Sequence, residues 1–196
     1  MRLAVLLSGS GRTLENLAGE IRRGRLEAGI AGVLSSRRDA FGLVRAKRLG
    51  IPAKTVRPKD FPTRRAFWAA AWKAVDAWKP DLVVMAGWLC YLKIPARYRG
   101  RVLNIHPSLL PKFGGRGCYG DRVHEAVLAA GVKTTGCTVH VVDNVYDHGP
   151  ILARARVPVR KGDDVHRLAA RVFRAECRLY PEAIRGYAKR LSLRQP

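Results

Sequence analysis

The sequence predicts an α/β fold: a Rossmann-like, mostly parallel twisted sheet flanked by helices, with an antiparallel element in the C-terminal half. Three observations carry this expectation. Apolar runs of strand length alternate with helix-patterned segments through the first hundred residues, which calls for parallel strands joined by right-handed crossovers. A glycine-rich turn, Gly9-Ser10-Gly11, joins the first run to the first helical pattern. The later part is richer in strand patterns and ends in one long helical pattern.

Met1 to Ser8 is continuously apolar after Arg2, as a strand buried on both faces should be. Thr13 opens a helix that reaches about Arg23. Ile30 to Ser35 is the second strand. Asp39 to Leu49 is a helix stopped by Gly50 and Pro52. Ala53 to Val56 is a short third strand. Thr63 to Trp78 is a helix with Phe67, Ala71, Val75 and Trp78 on one stripe, ended before Pro80. Asp81 to Ala86 and Val102 to Ile105 are the next strands, and Pro107 to Gly120 is a loop rich in Gly and Pro. Asp121 to Ala130 is a helix terminated by Gly131. Thr134 to Val142 alternates and is β-branched, and Ile151 to Val159 alternates apolar residues with Arg, as a half-exposed antiparallel strand would. Asp163 or Asp164 caps a last helix reaching about Arg190, interrupted near Pro181.

A chain of 196 residues without repeat, linker or low-complexity stretch fits one domain, 1-196. Its 47% hydrophobic content suffices for a core. No apolar run approaches the ~20 residues needed to cross a bilayer, and the N-terminal run is too short for a secretory signal. A cytoplasmic protein is expected, with no membrane partner. Cys90, Cys118, Cys137 and Cys177 form no C-x-x-C pair, so neither a zinc site nor a disulfide is expected, and each reads as a small buried hydrophobe. The 37 Lys+Arg against 15 Asp+Glu give a net charge of +22. That excess can mark a nucleic-acid binder, but it is spread along the chain without a basic stripe. It also suits small anionic substrates, and an arginine-rich proteome explains it equally well.

In open parallel sheets ligands bind beyond the carboxyl ends of the strands. Gly9-Ser10-Gly11-Arg12-Thr13, Gly87-Trp88-Leu89, Asn104-Ile105-His106-Pro107 and the stretch from Asp143 to Gly149 all fall there. Glycines let backbone N–H groups approach a phosphate, and a helix N-terminus adds partial positive charge. The first turn is nevertheless no dinucleotide fingerprint, because Leu14 stands where a small residue is needed, and it lacks the lysine of a P-loop. A plain tight turn accounts for it equally well. Asn104 and His106 lie two apart at a strand end, so they share a face. An amide and an imidazole so placed can stabilise an oxyanion and move a proton. A nearby carboxylate would hold the imidazole and favour its charged form. Spacing leaves Asp143 and Asp147 both open for that part, and either could instead be a turn residue.

The string Asn104-Ile105-His106-Pro107-Ser108-Leu109-Leu110-Pro111 resembles the signature of the folate-dependent formyltransferases, and Gly136-Cys137-Thr138-Val139-His140 and Asp147-His148-Gly149-Pro150 fit the same pattern. The likeness runs from Met1 to about Tyr187 and is strongest to the branch that formylates glycinamide ribonucleotide. It implies a formyl transfer in purine biosynthesis from 10-formyltetrahydrofolate to the amine of that ribonucleotide, without a metal, by a monomer or homodimer. Residues 1–100 would be the phosphate- and nucleotide-binding half and 101–196 the catalytic and folate-binding half. Asn104, His106 and Asp147 would be catalytic, Asp147 orienting His106 and raising its pKa, with His140 in support. Gly9, Ser10, Gly11, Arg12 and Thr13 would hold the ribonucleotide, with Phe173, Arg174 and Glu176 from the last helix. Arg64, Trp88, Leu89, Cys90, Tyr91 and Leu92 would meet the folate, as would Asp143, Asn144, Val145 and Tyr146.

Three departures stand out. Cys90 and Phe173 occupy positions where relatives often carry a basic residue, Arg174 or Arg171 being able to replace the latter, and the loop Gly114 to Gly120 is long. Two other branches share the Asn104–Pro111 signature. A methionyl-tRNA formyltransferase should carry a further C-terminal domain, and a formyl-folate hydrolase a further N-terminal one. A non-catalytic nucleic-acid-binding domain would instead expose aromatic residues among its cations, whereas Trp68, Trp72 and Trp78 lie on a helix where core packing explains them.

Overall fold

In the computed structural model, which describes residues 1–192, apolar runs with no alternation become strands buried on both faces. Leu3 through Leu7 are fully buried along β1 (Arg2–Leu7), and Leu82, Val83 and Val84 along β4 (Leu82–Met85). With β2 (Gly29–Ser35), β3 (Ala53–Thr55), β5 (Val102–His106), β6 (Thr134–Val141) and β7 (Ile151–Pro158) they form a seven-stranded sheet in the order β3-β2-β1-β4-β5-β6-β7. The helices are α1 (Arg12–Arg22), α2 (Phe41–Arg48), α3 (Arg64–Asp76), α4 (Asp121–Ala129) and α5 (Val165–Ser192). The mixed α/β architecture expected from the sequence is therefore the one observed.

The chain divides into two compact units, Met1–Leu103 and Asn104 onward. In the first, β1 pairs in parallel with β2 and with β4, and β2 with β3. Gly11 sits at φ +72°, in the left-handed region, where a Cβ would come within 2.4 Å of the Gly42 Cα. This close approach brings α2 against the turn that opens α1. Thr63 caps α3, its Oγ1 accepting the Ala66 N–H at 3.1 Å. Phe67, Ala71 and Val75 of the expected stripe are buried, as is Trp72, and Trp78, the stripe's last member, is buried just beyond the end of the helix. Trp68 and Trp72 also donate their indole N–H groups to the carbonyls of Tyr91 (3.1 Å) and Lys93 (2.7 Å). These tryptophans therefore tie down the segment after β4.

In the second unit β6 and β7 are antiparallel, with a register shift between Val139 and His140. Of the two caps the sequence left open for α5, Asp164 serves: its Oδ1 accepts the Arg167 N–H at 2.7 Å. Asp163 instead takes both guanidinium nitrogens of Arg171, at 2.6 and 2.7 Å. The expected interruption at Pro181 does not occur, and α5 runs through it. Proline removes one helical hydrogen bond, but Tyr180, Pro181, Ala183 and Ile184 are all buried, and their packing outweighs that loss. Short 3-10 turns at Pro58–Asp60 and Ala96–Tyr98 were not legible in the sequence.

Candidate active site

Strand alternation puts Leu103 and Ile105 on one face of β5 and Asn104 and His106 on the other. His106 is only 4% exposed, and Asn104 is half-buried. The neighbouring polar group comes from β6, where His140 is buried among apolar residues. Nδ1 of His140 lies 3.2 Å from the Val141 carbonyl, which can only accept, so the proton belongs there. Nε2 then accepts an amide hydrogen of Asn104 at 3.1 Å. The second amide hydrogen of Asn104 is left for another acceptor.

Asp147 completes the group. Its Oδ2 lies 3.5 Å from His106 Nδ1 and its Oδ1 3.7 Å from His140 Nε2. Gly115 donates its backbone N–H to Oδ2 at 2.9 Å. Asp147 itself is in the left-handed region at φ +51°, which is uncommon for a residue with a side chain. Of the two carboxylates left open by spacing, Asp143 lies elsewhere in its loop: it accepts the Val145 N–H at 2.8 Å and pairs with His148 Nδ1 at 2.9 Å.

The electrostatics are those of a buried pair. Burial pushes the Asp147 carboxyl up, but His140, the His106 imidazole and the Gly115 N–H together hold it below its ordinary value. Burial pushes the His106 imidazole down. Asp147 and the Phe113 carbonyl pull it up, as expected of a carboxylate neighbour, yet desolvation wins and the net shift is downward. The upward shift anticipated from the sequence is thus present as a contribution and absent as a result. Near neutral pH the pair is carboxylate and neutral imidazole. His106 Nε2 donates to the Phe113 carbonyl at 2.8 Å, so the vacant lone pair is on Nδ1, facing Asp147.

The remaining expected residues fall as follows. Gly9 and Ser10 are exposed after β1, Gly11 is buried, and Arg12 and Thr13 begin α1. Arg45 of α2 donates to the Ser10 carbonyl at 3.0 Å and to Glu15 at 2.5 Å. Trp88, Leu92 and the half-buried Cys90 and Tyr91 follow β4, with Leu89 exposed. Arg64 is exposed at the start of α3. Asn144, Val145 and Tyr146 form an exposed loop before Asp147. On α5, Phe173 and Glu176 are half-buried and Arg174 is exposed.

Several supporting groups escaped the sequence reading. Thr138 Oγ1 donates to the Ser108 carbonyl at 2.7 Å and accepts the Leu110 N–H at 3.1 Å, and Ser108 Oγ donates to the Lys112 carbonyl at 2.6 Å. Arg154 donates to the Leu110 carbonyl at 2.8 Å. These bonds shape the loop that delivers the Phe113 carbonyl to His106. Phe113 and Gly115 act through their backbones, for which side-chain identity is no signal. Among the described residues, no group of three or more His, Cys, Asp or Glu side chains is placed to hold a metal ion, and no helix is long and apolar enough to cross a membrane.

Known proteins resemble this chain over nearly all its length. It is 36% identical to the phosphoribosylglycinamide formyltransferase of Escherichia coli (strain K12), over 96% of this chain and 87% of that one. It is 40% identical to the Bos taurus trifunctional purine biosynthetic protein adenosine-3 over 93% of its own residues, and spans 18% of that relative's length. The crystal structure of glycinamide ribonucleotide transformylase 1 from Symbiobacterium toebii superposes with a TM-score of 0.90 at 43% identity, covering 96% of this chain and 88% of that one. That of phosphoribosylglycinamide formyltransferase from Brucella melitensis gives 0.86 at 42% identity, covering 95% of each. With residues 1–184 matching the family described as formyl transferase, the chain belongs to the formyl transferase family.

Proposed function

We propose that this chain transfers a formyl group from 10-formyltetrahydrofolate to the amine of glycinamide ribonucleotide, in purine biosynthesis. The observation that carries the reading is the approach of the Asp147 carboxylate to His106 Nδ1, 3.5 Å, beside Asn104 on the same face of β5. The substrate amine is its own nucleophile, so the chemistry needs no Ser or Cys attack. As the amine adds to the formyl carbon, the second amide hydrogen of Asn104 meets the developing oxyanion. The amine's proton passes to the lone pair on His106 Nδ1, where the neighbouring carboxylate stabilises the imidazolium. The bond from the formyl carbon to N10 of the folate then breaks, and the same proton is available to the leaving nitrogen, directly or through a water.

In this reading the Gly9–Thr13 turn holds the ribonucleotide phosphate on backbone N–H groups at the start of α1, and Phe173, Arg174 and Glu176 bind the same substrate. Arg64 and Trp88–Leu92 in the first unit, and Asp143–Tyr146 in the second, are folate-contacting segments. In the second unit the exposed side chains of Val145 and Tyr146 suit a flat aromatic ring system.

The test is a spectrophotometric assay of 10-formyltetrahydrofolate deformylation with and without glycinamide ribonucleotide. Turnover that requires the ribonucleotide is expected. Folate release without acceptor, or transfer only to charged tRNA, would replace this reading with one of the other family branches.

A further inference from the structure

Outside the catalytic group, the ends of β1 and β2 carry two buried hydroxyls with an unusual connection. Ser8 is 1% exposed and Ser36 4%, and their Oγ atoms are 2.6 Å apart. The Leu89 N–H donates to Ser8 Oγ at 2.9 Å. Ser36 in turn hydrogen-bonds the Cys90 side chain. Counting protons sets the direction. Leu89 can only donate to Ser8. With Ser36 giving its proton to the sulfur, Ser8 gives its own to Ser36, and each hydroxyl accepts one hydrogen bond and donates one. The path runs from the Leu89 N–H through two hydroxyls to the Cys90 Sγ. It leaves the chain at one residue and returns at the next.

We infer that Ser8 and Ser36 are positioning residues that fix the backbone of the segment Leu89–Leu92 through this closed chain of hydrogen bonds, and thereby set affinity for the folate. The inference rests on the assignment of that segment to folate made above. Three observations support it. The chain is buried, where hydrogen bonds polarise one another and a missing partner is costly. The adjoining backbone is pinned at both ends, Ser8 N–H to the Gly87 carbonyl at 2.9 Å and Ser36 N–H to the Leu7 carbonyl at 3.2 Å, so the hydroxyls have a rigid mount. The segment lacks regular secondary structure of its own, and its further ties include the indole donors of Trp68 and Trp72 at Tyr91 and Lys93. The Cys90 sulfur serves here as the terminal acceptor.

Two measurements on the full chain decide the matter. In Ser8→Ala and Ser36→Ala, amide hydrogen exchange at Leu89 should quicken by roughly tenfold or more, with β1 amides such as that of Val5 unchanged. The KM for 10-formyltetrahydrofolate should rise about fivefold to tenfold, with kcat and the KM for glycinamide ribonucleotide within about twofold. Cys90→Ser, which keeps an acceptor, should leave amide exchange at Leu89 as in the parent. Unchanged exchange at Leu89 in both alanine variants, or equal rises in the two KM values, would overturn the inference. Should Ser8→Ala fail to fold, Ser36→Ala alone decides. A parent enzyme without ribonucleotide-dependent transfer would overturn the proposed function instead, and with it the folate role, while the exchange measurement would still judge the hydrogen-bond chain.

Discussion

Nε2 of His140 accepts an amide hydrogen of Asn104 across 3.1 Å, and this single bond decides which way the Asn104 amide faces. With Nδ1 of His140 engaged by the Val141 carbonyl, the acceptor cannot become a donor without breaking a second bond. The amide nitrogen is therefore held toward the reacting side. Asn104→Ala should lower kcat by about 100-fold or more while leaving the melting temperature within a few degrees. His140→Ala, which frees the amide to turn, should lower kcat by roughly tenfold. Steady-state kinetics of the two variants test both, and a His140→Ala enzyme at full rate would remove the positioning role.

The His106–Asp147 pair predicts a direction for the pH profile. Burial holds His106 below its ordinary pKa of 6.5, and the form proposed to act is the neutral one. Activity in kcat/KM should therefore fall on the acid side, with its limb below pH 6.5. Replacing Asp147 by Asn removes the charge that favours the imidazolium, so the limb should move further down while kcat drops about 100-fold. An acid limb above 6.5 in the parent, or one that rises in Asp147→Asn, would contradict this assignment. The same depressed pKa means that the unfolded chain binds more protons, so this group costs stability as pH falls through and below 6.5.

Gly149 lets the chain that follows Asp147 return close beside the end of β6. A Cβ there would lie 1.8 Å from the Val141 carbonyl oxygen and 3.0 Å from its carbon, both backbone atoms with no freedom to move aside. Gly149→Ala should cost about 2–3 kcal/mol of stability and lower kcat as well, because Asp147 is two residues upstream. Denaturation and kinetics on the same preparation should show both losses.

At the start of α5, Asp163 holds Arg171 through two bonds and accepts the Arg160 N–H at 2.7 Å. The Arg171 guanidinium, ahead of that N–H, brings the carboxyl down to about 2. Its contribution to stability is complete above the ordinary carboxylate value and is lost as pH falls from about 4 to about 2. Asp163→Asn should melt roughly 3 °C below the parent at neutral pH, and that gap should close through the same window.

Much of this was open to a reader of the sequence alone. Unbroken apolar runs such as Leu3–Leu7 announce strands covered on both faces, and the pair Asn104 and His106 announces a shared face by its spacing. Residue identity could not choose between Asp143 and Asp147, because both stand in one loop and only the fold turns one toward His106 and the other toward His148. Nor could it show that His106 is desolvated enough to overcome its carboxylate neighbour, since burial is a property of the assembled core. The Phe113 carbonyl and the Gly115 N–H were invisible for a simpler reason: every residue offers such groups. Pro181 misled because a local rule about helix breaking ignores how firmly Tyr180 and Ile184 are packed on either side of it.

The arginines bear on how the protein meets salt. Arg2 donates to the carbonyls of Trp78 and Lys79, Arg101 to those of Pro80 and Asp81, and Arg171 to that of Pro158. These guanidinium forks are braces on exposed turns, with a geometry that lysine does not offer. They act at contact distance on carbonyl dipoles, which added ions screen little, whereas mutual repulsion among 22 excess positive charges acts over longer range. Raising ionic strength from about 0.05 to about 0.5 M should therefore increase the melting temperature. A protein built this way is braced by the same residues that charge it, and is steadier in brine than in dilute buffer.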